Sequence, residues 1–157
     1  MEFRKTPLLD LSDDGLQQVI TIASGPVIIE KAKVLLDQHG NEGGLWKFPG
    51  GKVRDGASFK ETARSEVKQE LGIDAKLIGD PFVLRFKRLL ESGVAEEILL
   101  IHYFAKRMND VIRPDSSIEE WGWHDVDKLP ENCHPNVAPV VAHFKDFRIE
   151  ELKGGRR

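Results

Sequence analysis

The stretch Leu45–Ile73, LWKFPGGKVRDGASFKETARSEVKQELGI, decides the fold. It reads as a tight glycine turn, a short loop and one helix that carries carboxylates. Pro49-Gly50-Gly51 supplies two residues free to take positive φ and to let a ligand approach the backbone. Ser58 followed by Glu61 is a capping box, so the helix starts near Phe59. Gly72 stands where a C′ glycine belongs, so it stops at Leu71. Phe59, Ala63, Val67 and Leu71 recur every four residues and are expected to form the buried stripe. Glu66 and Glu70 are also four apart and share a face beside it, joined by Gln69. Two carboxylates on adjacent turns, with no Lys or Arg four residues away on the same line, repel each other. A divalent cation removes that conflict, and Mg²⁺ typically bridges protein carboxylates to substrate phosphates. A solvated acidic face is the alternative reading of the helix taken alone.

Turn and helix together resemble the Nudix box, G-x5-E-x7-R-E-U-x-E-E-x-G-U with U aliphatic. With Gly51 as the first glycine, the matches are Gly51, Glu66, Val67, Glu70, Gly72 and Ile73. The lead-in from Leu45 to Val53 is similar to the family's sequence before the box. Three positions depart. Ala57 replaces the first glutamate, Ser65 the arginine, and Gln69 the first glutamate of the E-E pair. In the family, the first two commonly pair and brace the loop against the helix. Their joint loss strands no charge. Gln69 keeps an acceptor oxygen but no negative charge, and it cannot act as a general base.

The resemblance implies an α/β chain of the α+β type, a mixed β-sheet sandwiched between helices. It implies a Mg²⁺-dependent hydrolase, with Mn²⁺ as the other candidate ion, that cleaves the pyrophosphate of a nucleoside diphosphate linked to another moiety. By carry-over, Glu66, Glu70 and the Gly50 carbonyl hold the metal. Gln69 positions the attacking water or a group behind the metal ligands, and Gly51 lets the substrate approach the backbone. Lys52, directly after the double glycine, is expected either to meet a phosphate or to stand as an exposed loop lysine. A further carboxylate from outside the box is to be drawn from Glu96, Glu97, Glu119, Glu120 or Asp110. The competing reading is a Nudix-fold nucleotide sensor or interaction module that has lost turnover, with Ala57, Ser65 and Gln69 as its evidence. Lys87-Arg88-Leu89-Leu90 lies where some subfamilies carry a distinguishing proline or tyrosine, so no substrate subclass is implied. The resemblance leaves the oligomeric state open, homodimers being common in the family.

Length and composition agree with this outline. At 157 residues the chain suits a single domain, residues 1–157. Residues 1–16 are expected to form an irregular lead or edge strand, and residues 153–157 a frayed tail. A net charge of −3 argues against broad nucleic-acid binding. The single cysteine, Cys133, excludes an internal disulfide and suits a reducing cytosol, so a cytoplasmic location is expected. No stretch approaches a membrane span.

Residues 17–29 read as a strand with a kink or bulge at Ser24-Gly25-Pro26, followed by a turn at Glu30-Lys31 and a strand from Lys33 to Asp37. Gln38 to Gly44 reads as a loop. Beyond the helix, Ala75–Ile78 is a short strand broken by Gly79-Asp80-Pro81. Phe82–Leu90 and Val94–Met108 form a hairpin, and Ile118–His124 is a last strand. Asp125–Leu129 is expected to make one helical turn, and Asn136–Phe147 the closing helix, with Pro139 in its first turn. Of Trp121 and Trp123, one is expected in the core and the other free to stack on a base. Phe82, Phe86 and Tyr103 carry the same choice. Cys133-His134 has no matching constellation for a thiol nucleophile, and His39, His102, His124 and His143 show no ligand spacing.

Overall fold

The computed structural model describes residues 6–7, 18–40 and 43–147. Most of the expected N-terminal lead, and the expected tail at 153–157, lie outside the described residues. In chain order the elements are β1 (Thr6–Pro7), β2 (Gln18–Glu30), β3 (Lys33–His39), β4 (Gly51–Lys52), α1 (Phe59–Leu71), β5 (Ala75–Leu89), β6 (Ala95–Arg107), β7 (Ile118–Asp125) and α2 (Val137–Phe144). The sheet runs β5-β6-β2-β3-β7, with β1 and β4 pairing with β2. Among the described strands, β2 and β6 run parallel, from Gln18↔Ala95 to Ile28↔Ala105, and the other strand pairs are antiparallel.

Helices cover both faces, and the strands alternate between them. Val27, Val34, Leu36 and Phe104 pack with Val137, Val140, Val141 and Phe144 of α2. Their neighbours Ile28, Leu35 and Ala105 pack with Val67 and Leu71 of α1. A strand's two-residue period turns one apolar run into two cores.

α1 is bounded as the sequence predicts. Ser58 Oγ accepts from the Glu61 N–H at 3.0 Å, the Glu61 carboxylate accepts from the Ser58 N–H, and Gly72 closes the helix at φ +68°. Phe59, however, is 41% exposed and leaves the expected stripe. Each four-residue step overshoots a helical turn by about 40°, so by Leu71 the line has wound well round the helix, and burial falls instead on Thr62, Ala63, Val67, Glu70 and Leu71.

Other expectations also change. β2 is continuous through Ser24-Gly25-Pro26, in register with Ile101-His102-Tyr103. Gly79-Asp80-Pro81 does not end a strand. It forms a bulge within β5, since Ile78 faces Phe104 and Phe82 faces His102. Pro81 falls in that unpaired stretch, where no ladder N–H is needed. β3 extends to His39, past the expected end at Asp37. The β2–β3 turn uses Lys31 and Ala32, both left-handed at φ +52° and +62°. Residues 126–129 form a turn and no helix, and α2 ends at Phe144. Trp121 and Trp123 both pack on the α1-side core, because residues two apart in a strand share a face. Among the described residues, no helix is long and apolar enough to cross a membrane.

Candidate functional site

The site is built where the glycine turn passes under β2. A Cβ on Gly25 would overlap the Pro49 carbonyl oxygen, and one on Gly50 would lie 2.6 Å from the Ser24 carbonyl oxygen. Gly50 itself has φ +154°, which only glycine tolerates. Two glycines therefore let turn and strand touch backbone to backbone. The Ser24 hydroxyl, donating to the Phe59 carbonyl at 2.8 Å, ties the same strand to the start of α1.

α1 delivers its carboxylates to this turn. The half-buried Glu66 carboxylate occupies the space a Gly51 side chain would need. Glu70 is buried, and the Gly50 N–H donates to its Oε1 at 3.2 Å. Desolvation pushes the Glu70 carboxyl up to about 8, and the neighbouring Asp37 and Glu66 charges add to the rise. Lys47 and the Gly50 N–H act the other way without reversing it. Such a carboxylate has less positive charge around it than it needs, which is the condition a hard divalent cation satisfies. The donors thus fit a metal: two carboxylates flanking a glycine turn.

The structure adds two residues from β3. Asp37 and His39, both buried, lie on the same side of the strand, and His39 Nε2 is 3.8 Å from Asp37 Oδ1 and 3.7 Å from Glu70 Oε2. Lys47 Nζ lies 4.0 Å from Asp37 Oδ1, with Asp37 and Lys47 also paired through their backbones. Spacing along the sequence does not reveal this group, because β3 and α1 meet only in the fold. One signal was available: an aspartate directly after Val34-Leu35-Leu36, with a histidine two residues on.

A cavity of about 380 Å³ adjoins the turn. Lys47, Gly50 and Gly51 belong to its wall, so it adjoins the carboxylates. Phe86, Ile98 and Leu100 form an apolar surface, Lys87 and Arg88 add positive charge, and His134, Pro135 and Asn136 complete the lining. Asn136 Nδ2 donates to His102 Nε2 at 3.0 Å. Burial lowers His102 to about 4, so its ring is neutral and Nε2 is free to accept.

The remaining expected residues fall as follows. Gln69 is exposed, as are Ala57 and Ser65. Lys52 is 7% exposed, paired with Ala23 in the sheet, and does not line the cavity. Glu96 and Glu97 point to opposite faces. Glu96 is buried, accepting from Thr21 Oγ1 and, at 2.7 Å, from Arg88 Nε, while Glu97 pairs with Arg85. Phe86 lines the cavity, Phe82 packs on the α2 core and Tyr103 is buried. The Cys133 thiol donates to the Pro130 carbonyl, and burial raises it, which disfavours the thiolate.

Comparison with known proteins places this arrangement. A family profile described as NUDIX domain matches residues 21–144. The oxidized purine nucleoside triphosphate hydrolase of Danio rerio is 26% identical over 106 residues, covering 66% of this chain and 65% of that protein. Nudix hydrolase 6 of Arabidopsis thaliana is 24% identical over 123 residues, covering 75% of this chain and 42% of that protein. The matched region is thus less than two thirds of the length of either relative. The crystal structure of a MutT NUDIX hydrolase from Burkholderia pseudomallei superposes with a TM-score of 0.64 at 21% identity, covering 80% of this chain and 98% of that one.

Proposed function

Because this chain belongs to the Nudix family of hydrolases, we propose that it is a divalent-cation-dependent enzyme cleaving the pyrophosphate of a nucleoside diphosphate linked to another moiety, a nucleoside triphosphate included. One observation carries this reading. Glu66 and Glu70 converge on the Gly50-Gly51 turn, and the same turn walls a cavity of nucleoside size.

Glu66, Glu70 and the Gly50 carbonyl would hold Mg²⁺ or Mn²⁺. When bound, the ion neutralises charge on phosphate oxygens and makes water a better nucleophile. The cavity takes the nucleoside, with the base lying on Phe86, Ile98 and Leu100 and its polar edge meeting Asn136, whose amide His102 orients. Lys87 draws anionic groups toward the opening, while Arg88 is held by Glu96. Glycine at 50 and 51 lets the turn pack against Ser24 and Glu66, which holds its main chain at the cavity wall where a diphosphate would bind. Gln69, one residue before Glu70 on the exposed side, holds a water through its amide and leaves proton transfer to a carboxylate. Lys52 contributes positive charge from within the sheet.

The test is phosphate release, coupled through a phosphatase where needed, across nucleoside triphosphates, nucleotide sugars, ADP-ribose and dinucleoside polyphosphates, with Mg²⁺ and Mn²⁺ in parallel. Turnover by the natural protein and its loss in Glu70→Gln are expected. Equal rates in both proteins would overturn the assignment, and nucleotide binding without turnover would favour a sensor.

A further inference from the structure

Asp37, His39 and Glu70 come from two elements far apart in sequence. Their ligand atoms all lie within 4.8 Å of one another, and all three residues are more than nine-tenths buried. The two Nudix-box carboxylates account only for the Glu70 corner of this cluster. We propose that the cation held at Glu70 takes its non-box ligands from β3, His39 Nε2 and an Asp37 carboxylate oxygen. The centre is then a mixed nitrogen–oxygen site that prefers Mn²⁺ or a later first-row ion to Mg²⁺. The inference rests on the reading of Glu70 as a metal ligand.

The spacing suits it. Ligands about 2.1 Å from an octahedral ion lie about 3 Å apart when adjacent and about 4.2 Å apart when opposite. The 3.7 Å and 3.8 Å separations of His39 Nε2 from the two carboxylates exceed the adjacent spacing by less than about 1 Å, a gap that small side-chain movements close when an ion draws the ligands in. Charge suits it as well. The carboxylates of Asp37, Glu66 and Glu70 face one ammonium, Lys47, 4.0 Å from Asp37. Once an ion displaces the Glu70 proton, three negative charges against one positive leave the two that a divalent ion cancels. An imidazole contributes affinity without charge, and it does so for Mn²⁺, Co²⁺ and Zn²⁺ far more than for Mg²⁺, whose preference is for oxygen. Lys47 Nζ approaches the same Asp37 oxygen as His39 Nε2, so one ammonium partly offsets the carboxylate's charge.

The experiment is pulsed electron paramagnetic resonance on the full-length protein loaded with Mn²⁺ below one equivalent. Modulation from a directly coordinated ¹⁴N is expected. It should change to the ¹⁵N pattern when the protein is produced with ¹⁵N-histidine, a comparison that needs no mutation. His39→Gln should abolish the nitrogen signal while Mn²⁺ still binds through the carboxylates. Competition titration should show Mn²⁺ favoured over Mg²⁺ by at least about tenfold in the natural protein, and by clearly less in His39→Gln. Bound Mn²⁺ that is lost in Glu70→Gln yet shows no nitrogen coupling would overturn this inference and leave the hydrolase reading standing. Failure of Mn²⁺ to bind at all would overturn both.

Discussion

Replacing Glu70 by Gln and His102 by Gln, singly, in protein stripped of divalent cations, separates two opposed effects of pH on stability. Burial lifts Glu70 from 4.5 to about 8. Between those values the folded protein keeps a proton that the unfolded chain has released, so stability falls as pH rises through the window. At about 1.4 kcal/mol per pH unit, the whole effect is about 5 kcal/mol. Burial lowers His102 from 6.5 to about 4. Here the unfolded chain takes up a proton that the folded state refuses, so stability falls as pH drops through 6.5, by about 3 kcal/mol in all. From 4.5 to 6.5 the two slopes cancel. Above 6.5 only Glu70 acts, and the natural protein should lose about 2 kcal/mol by pH 8. His102→Gln should fall across the entire range from 4.5 to 8, whereas Glu70→Gln should rise from 4 to 6.5 and then stay level. Urea unfolding followed by tryptophan fluorescence at closely spaced pH values gives all three profiles. Groups common to the three proteins cancel in the differences. Mn²⁺ added at pH 8 should restore stability to the natural protein and to His102→Gln, but not to Glu70→Gln. If the natural and Glu70→Gln profiles run parallel within about 0.5 kcal/mol, Glu70 ionises as an ordinary carboxylate and the desolvation argument fails.

Two further outcomes are expected. Gly51→Ala puts a methyl group into the space of the Glu66 carboxylate, and displacing that group should cut cation-dependent turnover by about a hundredfold while circular dichroism stays unchanged; full activity would show that Glu66 has room to move. Ala32→Gly relieves a left-handed residue at φ +62° and should stabilise the protein by about 0.5–1 kcal/mol in urea unfolding, whereas a loss would mean that the turn relaxes without strain.

The parts of the fold governed by local chemistry were legible in the sequence. Ser58, Glu61 and Gly72 mark the ends of α1 because caps are contacts within a few residues. The same locality explains the misses. Gly79-Asp80-Pro81 carries every sign of a strand break, yet β6 keeps pairing on either side and makes it a bulge. Gly25 reads as a kink, but its purpose is the approach of Pro49, which belongs to another segment. Glu66 and Glu70 were visible as a pair through helical spacing, whereas their neighbours were not. His39 showed no spacing to any ligand because its partner Glu70 sits on a different element. The cavity joins β5, β6, the glycine turn and the approach to α2, so only the fold assembles it.

Gln69 faces solvent on α1 while Glu66 is half-buried and Glu70 buried. The most prominent departure from the box therefore falls at a position where packing imposes no selection. Glutamine and glutamate codons differ by one nucleotide, so a full E-E pair is a single mutational step away and needs no compensating change in the core. In a library of variants, that step and its reversal should be crossed freely whenever selection on turnover is relaxed. Whether position 69 carries glutamate or glutamine is then set by how strongly the substrate demands speed, and the architecture that holds Glu66 and Glu70 is indifferent to it.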